Sequence, residues 1–224
     1  MRGREGPGRQ KAKRPGVRRR APALASGRPG SRRAKCSATE EALAALTSFL
    51  SRCGAPASII GGIAVIAWGF GRSTLDIDAA VAVPGSEAGA LLAGLKSAGF
   101  VPRIPRAAAF ARENYVLLLR HKRTGVDVDL SLAQLEFERV ALRNAEIRRF
   151  GAVRIPVPRP TDLVVYKMIA ARPRDLQDVE ELLARGLAVD EQRVESLLRD
   201  FDSLLDLDRV GEWRRLLERL RADP

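Results

Sequence analysis

Two pairs of aspartates stand inside apolar, strand-like runs of this sequence, and they constrain the fold more than any other feature. Asp76 and Asp78 lie in LDIDAAVAV, and Asp127 and Asp129 lie in GVDVDLSL. Side chains two residues apart on a strand point to the same face, so each pair predicts one acidic face and one apolar face. Because neighbouring carboxylates repel each other and resist burial, the acidic faces are either exposed to solvent or bound to a cation.

A pair of glycines precedes the first acidic run. Gly61 and Gly62 follow a short strand candidate, ASII, and lead into IAVIAWG, whose alanine content favours a short buried helix. Glycines at such a turn allow close approach of the backbone and leave N–H donors uncovered, which is typical of phosphate binding. Alone, the pair is equally compatible with a tight turn, but Arg72 and Ser73 shortly after it favour phosphate binding.

The order of predicted elements is mixed α and β to about residue 157 and helical after it. The segment NYVLLLRHKRTGVDVDLSL predicts a hairpin that turns at KRTG, and helices are predicted from Ser37 to Gly54, from Ser86 to Gly99 and from Ala133 to Ala145. This pattern predicts an α+β fold: a small mixed β-sheet core flanked by helices, with a C-terminal helical lobe. We expect the core to span residues 37–158 and the lobe to span residues 159–224.

The charge of the chain is concentrated at one end. Residues 1–35 hold thirteen Lys and Arg against one acid, Glu5, which accounts for the whole formal net charge of +12. This segment is rich in Gly and Pro and poor in bulky apolar residues, so we expect residues 1–36 to be a disordered basic tail. Either it attracts RNA or another polyanion, or it is a solvated segment or upstream sequence read from a misassigned start codon.

Cysteine and histidine are scarce, which limits the metal chemistry. Cys36, Cys53 and His121 cannot assemble a Cys/His zinc site, so a bound metal must have oxygen ligands, as Mg²⁺ or Mn²⁺ prefers. The sequence has no apolar run long enough to span a bilayer, and we expect no membrane association, a soluble protein and a cytoplasmic location.

These residues together resemble the nucleotidyltransferase superfamily with the DNA polymerase β-like fold. Gly61-Gly62, thirteen further residues and Asp76-Ile77-Asp78 resemble its signature, and the form GGIAV…WG…RSTLDID is most similar to the bacterial branch that includes the AbiEii/MenT-type toxins. VDVDL resembles the strand of the third carboxylate, with Asp129 the better match. The segment RPTDLVVYKMIAARPRDLQDVEEL resembles the helical motif of that branch, with Lys167 followed by R-D-x-x-D.

The resemblance implies an Mg²⁺- or Mn²⁺-dependent transfer of a nucleoside monophosphate from an NTP to a hydroxyl acceptor, with release of pyrophosphate. It implies that Asp76, Asp78 and Asp129 are catalytic and bind metal, with Asp129 activating the acceptor hydroxyl. Residues implied to bind nucleotide or phosphate are Gly61, Gly62, Arg72, Ser73 and Lys167. Asp127, Arg174 and Asp178 are weaker candidates.

The acceptor stays open: the tRNA 3′ end or another RNA, a small molecule such as an aminoglycoside, or a protein hydroxyl. A toxin of this branch implies an antitoxin partner. The alternative is a catalytically inactive module that keeps the fold and binds nucleotide or another protein.

Several residues also have purely structural interpretations. Lys167 fits a surface lysine, Arg174 and Asp178 fit a helix-surface ion pair, and Trp68 fits the core. His121 stands beside Arg120 and Lys122 and is expected to be exposed.

Overall fold

A computed structural model of the chain describes residues 37–222. The helices of this part are α1 (Ala38–Cys53), α2 (Gly61–Ala67), α3 (Ala88–Ser97), α4 (Ala107–Asn114), α5 (Glu136–Arg143), α6 (Pro160–Ala170), α7 (Pro173–Ala184), α8 (Glu191–Leu205) and α9 (Arg209–Ala222). Its strands are β1 (Ala57–Ile59), β2 (Ile77–Val81), β3 (Phe100–Pro102), β4 (Val116–His121), β5 (Asp127–Leu132), β6 (Glu146–Phe150) and β7 (Val153–Val157). The tail predicted at residues 1–36 lies outside the described residues.

A five-stranded mixed sheet in the order β1-β2-β5-β4-β3 forms the centre of the fold. Strands β2 and β5 run parallel, and the other neighbours in this sheet are antiparallel. A separate antiparallel hairpin is formed by β6 and β7. The mixed sheet with flanking helices confirms the predicted α+β fold.

The sheet has one buried face and one face that is partly open around β5. In β5 the residues Val128, Leu130 and Leu132 are buried, while Asp127, Asp129 and Ser131 alternate with them and are only partly covered. The alternation of apolar and polar residues in GVDVDLSL therefore corresponds to the predicted apolar and acidic faces of the strand. We call the side that carries these acids the open face.

Helix α1 shows why the local sequence specifies its ends. The Ser37 hydroxyl accepts a hydrogen bond from the Glu40 backbone N–H at 3.1 Å, and the Glu40 carboxylate accepts one from the Ser37 N–H at 2.7 Å. Gly54 ends the helix with a left-handed φ of 75°. These are the start and stop signals expected of a capped helix, and they confirm the predicted bounds.

One apolar core joins the sheet to the C-terminal helices. Leu46 of α1, Ile77 of β2, Val164 of α6 and Trp213 of α9 belong to the same buried cluster, and each is fully buried. The division into a core at residues 37–158 and a lobe at residues 159–224 stays a prediction. Across residues 37–222, every helix is too short or too polar to cross a membrane.

Three local predictions are wrong. The helix predicted from Ser86 begins later, at Ala88, because Gly85–Glu87 forms a 3₁₀ turn before it. Asp76 is not on a strand, because β2 begins one residue later. His121 is not exposed: its ring packs on Phe100 at 5.0 Å between centroids, and its Nδ1 lies 2.8 Å from the Thr124 hydroxyl.

The shared core predicts a large cost for truncating the α9 tryptophan. Trp213→Ala should lower the free energy of unfolding by about 3–5 kcal/mol, because it empties a large, fully buried site. Leu204 in α8 is 72% exposed, so Leu204→Ala is the matched control and should change stability by less than about 0.5 kcal/mol. Urea denaturation measures both. Equal, small effects would show that α9 does not pack into the core.

Candidate active site

The glycine turn is fixed against the open face by a backbone contact. The Ile60 N–H donates to the carbonyl oxygen of Asp78 at 2.9 Å, which ties the end of β1 to β2. Gly61 follows with a φ of 62°, and a Cβ at this position would overlap the Asp78 carboxylate. Glycine is therefore needed at residue 61 for two reasons, its left-handed backbone and the carboxylate packed against it.

The second glycine makes room for a cation. A Cβ on Gly62 would lie 3.1 Å from the guanidinium carbon of Arg72. Both residues stand at the first positions of α2, so their backbone N–H groups have no acceptor within the helix. The turn thus presents donors next to Asp78, with Arg72 folded over it.

Two carboxylates share one row of the sheet at this turn. Asp78 of β2 and Asp129 of β5 are register partners on the neighbouring parallel strands. Burial raises the pKa of Asp78, and the charges of Asp129 and Asp76 raise it further, while Lys167 and Arg172 lower it. Burial also raises the pKa of Asp129, against the lowering effect of Arg103.

The two other acids of the sequence pattern have different surroundings. Asp76 is exposed, directly before β2, and its charge contributes to the raised pKa of both Asp78 and Asp129. Asp127 receives hydrogen bonds from the Arg120 Nε at 2.6 Å and from Arg103 at 3.2 Å. The Arg120 hydrogen bond, assisted by the Arg103 charge, lowers the pKa of Asp127.

The open face carries more carboxylates than cations. Four carboxylates, those of Asp76, Asp78, Asp127 and Asp129, face two arginines, and both arginines bind Asp127 or Asp129. Within residues 37–222 neither Asp76 nor Asp78 has an ion pair, and the charges of Lys167 and Arg172 offset the negative charge at Asp78 only in part, since the pKa of Asp78 is still raised.

That excess of negative charge suits one divalent cation with oxygen ligands. In the described part of the chain, no three acidic, His or Cys side chains stand close enough to form a ready-made metal cluster. Asp76 lies before the strand, and Asp129 is bound by Arg103. Ligand type and charge at Asp76 and Asp78 nevertheless fit Mg²⁺ or Mn²⁺.

Behind the glycine turn lies a buried group of ion pairs. The Lys167 ammonium donates to Asp175 and to Asp178 at 2.7 Å each, and Arg72 pairs with Asp178. Lys167 is only 4% exposed, so the interpretation as a surface lysine is wrong. Two cations and two anions balance each other in this group, which we call the ion-pair cluster.

Arg174 is engaged elsewhere. Its Nη2 donates to the Ser73 carbonyl oxygen at 2.7 Å, so the predicted helix-surface pair with Asp178 is wrong. Ser73 is exposed, and this contact fixes the loop that leads to Asp76.

A cleft of about 470 Å³ brings the site together. Its walls include Gly61, Gly62, Arg72, Asp78, Asp129 and Lys167, together with Asp175, the first aspartate of R-D-x-x-D. They also include three polar residues that the sequence analysis missed: Ser131, Tyr166 and Arg172. Ser73, Asp76, Asp127, Arg174 and Asp178 are not part of its walls.

Of the missed residues, Arg172 has the clearest chemistry. It is exposed at the cleft, directly before α7, and forms no ion pair within residues 37–222. Its only signal in the sequence is its place two residues before Arg174, in ARPRD.

Comparison with known families classifies the chain. Residues 40–217 match the family described as "Nucleotidyltransferase of unknown function (DUF6036)". The chain belongs to this nucleotidyltransferase family. The match confirms the predicted superfamily, and membership of the AbiEii/MenT branch stays a prediction. No curated protein sequence matches the chain.

Solved structures match this nucleotidyltransferase at low identity. ANT(2")-Ia in complex with adenylyl-2"-tobramycin is 18% identical, with 74% of this chain and 97% of that chain covered and a TM-score of 0.49. An antigenic nucleotidyltransferase-like protein from Paracoccidioides brasiliensis is 14% identical, with 80% and 91% covered and a TM-score of 0.48. A tRNA nucleotidyltransferase complexed with a primer tRNA and an incoming ATP analogue is 15% identical, with 79% and 60% covered and a TM-score of 0.29.

The raised pKa of Asp78 predicts that this carboxylate destabilises the metal-free protein. Stability should fall as pH rises from the ordinary value of 3.8 towards the raised one, so the cost of the ionised carboxylate grows across that range. Asp78→Asn should therefore raise the melting temperature at pH 7 by about 2–4 °C, as a gain near 1 kcal/mol does in a chain of this size. Differential scanning calorimetry without divalent metal measures this.

Asp200 is exposed in α8 and gives the matched control, Asp200→Asn, which should leave the melting temperature within about 1 °C. A lower melting temperature for Asp78→Asn would contradict the account, because it would mean that the carboxylate is stabilised by the fold.

Removal of Lys167 should destabilise the nucleotidyltransferase strongly. Lys167→Met leaves Asp175 and Asp178 buried with too little positive charge, and we expect a loss of about 3–5 kcal/mol in urea denaturation. Arg174→Met removes an exposed cation from the same region and should cost about 1 kcal/mol or less. If the two variants are equally stable, Lys167 does not hold the ion-pair cluster.

Proposed function

We propose that this protein transfers a nucleoside monophosphate from an NTP to a hydroxyl acceptor. One observation carries the proposal: the glycine turn, whose N–H donors have no acceptor within α2, is packed against the Asp78 carboxylate in a cleft that also holds Asp129. Donors without an intrahelical acceptor suit phosphate oxygens, and the excess negative charge beside them suits a cation that would neutralise charge on those phosphates.

The glycine turn and the cations of the cleft would bind the triphosphate. The N–H groups of Gly61 and Gly62 donate to phosphate oxygens, and Arg172 adds a positive charge that no carboxylate of the described chain neutralises. The charges of Lys167 and Arg72 are shared with Asp175 and Asp178. Their proposed contribution is therefore to shape the cleft and to support the phosphates from behind.

Asp76 and Asp78 would hold Mg²⁺ or Mn²⁺, which when bound neutralises charge on the phosphates. Asp129 would accept the proton of the acceptor hydroxyl, a role that its raised pKa favours. The acceptor oxygen forms a bond to the α-phosphorus, the bond from that phosphorus to the bridging oxygen breaks, and pyrophosphate leaves. Atoms and charge balance with the proton on Asp129.

RNA is the acceptor that the surface favours. Arg149 of β6 and Arg154 of β7 are register partners, both exposed, and neither forms an ion pair within residues 37–222. Like charges directly opposite each other on a hairpin destabilise it, so this pair is well explained by an anionic partner. The basic segment at residues 1–36 adds positive charge of the kind that attracts a phosphate backbone.

The proposal includes the tRNA 3′ end as the RNA acceptor. It also includes a role as the toxin of a toxin–antitoxin pair, with an antitoxin as partner. A cytoplasmic location belongs to the same hypothesis. The alternative, an inactive nucleotidyltransferase-fold module, is favoured by the engagement of Asp129 with Arg103.

Labelled-nucleotide transfer tests the proposal. Purified protein is incubated with Mg²⁺, total RNA and each α-³²P NTP in turn, and the products are separated by size. We expect label on an RNA band with the wild type and with Asp200→Asn, and a loss of at least about 100-fold in Asp78→Asn. Arg149→Gln/Arg154→Gln should retain NTP binding but transfer less label to RNA, increasingly so at higher salt.

The outcomes separate the hypotheses. Label that appears only on an aminoglycoside or on protein would overturn the RNA acceptor and leave nucleotidyl transfer standing. NTP binding with no transfer to any acceptor would favour the inactive module.

A further inference from the structure

Arg103 is placed by the sheet to reach the third carboxylate. It follows β3 directly, and its backbone N–H donates to the Leu118 carbonyl oxygen of β4 at 2.9 Å. Leu118 is the register partner of Asp129, which is in turn the partner of Asp78. These four residues therefore form one row that runs from the end of β3 across β4 and β5 to β2. From two strands away, the Arg103 guanidinium binds the Asp129 carboxylate.

Asp127 explains why this arginine stays in place. The Arg103 Nη1 donates to Asp127 at 3.2 Å, while Arg120 binds the same carboxylate through Nε at 2.6 Å and Nη2 at 3.1 Å. Asp127 thus fixes Arg103 on the side of Asp129 that faces away from Asp78. Asp127, the additional acid of VDVDL, therefore anchors Arg103.

Asp76 and Asp78 differ from Asp129 as cation sites. Asp76 and Asp78 have no cation within residues 37–222, whereas Asp129 already carries a guanidinium. A divalent cation at Asp76 and Asp78 meets two carboxylates that have no ion pair within residues 37–222, and Lys167 and Arg172 act on Asp78 only from beyond ion-pair distance. A second cation at Asp129 must approach Arg103 at contact distance or displace it, and either event costs free energy.

We propose that Arg103 keeps a second divalent cation from binding tightly at Asp129, so that the chain has one stronger and one much weaker metal site. The inference rests on the proposed function, because it takes Asp76 and Asp78 as the stronger site. Arg103 acts through Asp129 and is a positioning residue. It holds one carboxylate oxygen of Asp129, which leaves the other oxygen for the acceptor proton.

Binding of Mn²⁺ alone, measured by the EPR signal of the free ion, tests this without any need for activity. The wild type should show one stronger and one weaker site. In Arg103→Met the weaker site should tighten by at least about fivefold, the effect of removing one unit charge at contact distance in water. Arg103→Lys keeps the charge and should resemble the wild type.

Arg120→Met is the matched control, because Arg120 binds Asp127 on the same face but has no contact with Asp129. It should leave the weaker site unchanged. In Arg103→Met/Asp129→Asn the gain should disappear, which assigns the tightened site to Asp129.

Two results would overturn the inference with the proposed metal site intact: equal affinities at both sites in the wild type, or an unchanged Mn²⁺ isotherm in Arg103→Met. No Mn²⁺ binding by the wild type, or binding that survives in Asp76→Asn/Asp78→Asn, would overturn the proposed metal site itself and the inference with it.

Discussion

The repulsion between Asp78 and Asp129 is the constraint on which the candidate active site depends. The parallel pairing of β2 with β5 places the two carboxylates in one row, with the glycine turn packed against the first. The fold compensates this repulsion at Asp129 but not at Asp78. Arg103 binds Asp129, whereas Asp78 is left with a raised pKa and a deficit of positive charge. That excess of negative charge is the reason why we propose the cleft as the site of a metal–triphosphate complex.

The ion-pair cluster and the open face divide the charges of the molecule into structural and reactive groups. Lys167, Arg72, Asp175 and Asp178 neutralise one another behind the glycine turn and join α6, α7 and the loop before β2. Because these charges are mutually paired, they hold the cleft in shape without attracting a cation away from Asp78. The site thus combines Asp76 and Asp78, which have no ion pair within residues 37–222, with four side chains whose charges neutralise one another.

The sequence predicts what depends on local periodicity, and it fails where partners come from distant segments. The acidic and apolar faces of β5, the glycine turn and the caps of α1 follow from neighbouring residues. The burial of Lys167 does not, because its carboxylates come from α7 and only the fold brings them within 2.7 Å. Arg103 and Arg172 lacked any motif, and β6 was missed because EIRRF has two arginines in a short strand. His121 was judged by its charged neighbours, although Phe100 covers it.

A crystal structure with Mn²⁺ and a non-hydrolysable NTP, phased with the anomalous signal of the metal, tests the central claim most directly. The account predicts the strongest anomalous peak between Asp76 and Asp78, with phosphate oxygens on the N–H groups of Gly61 and Gly62. A nucleotide bound outside the cleft, or a metal bound away from both aspartates, would contradict it.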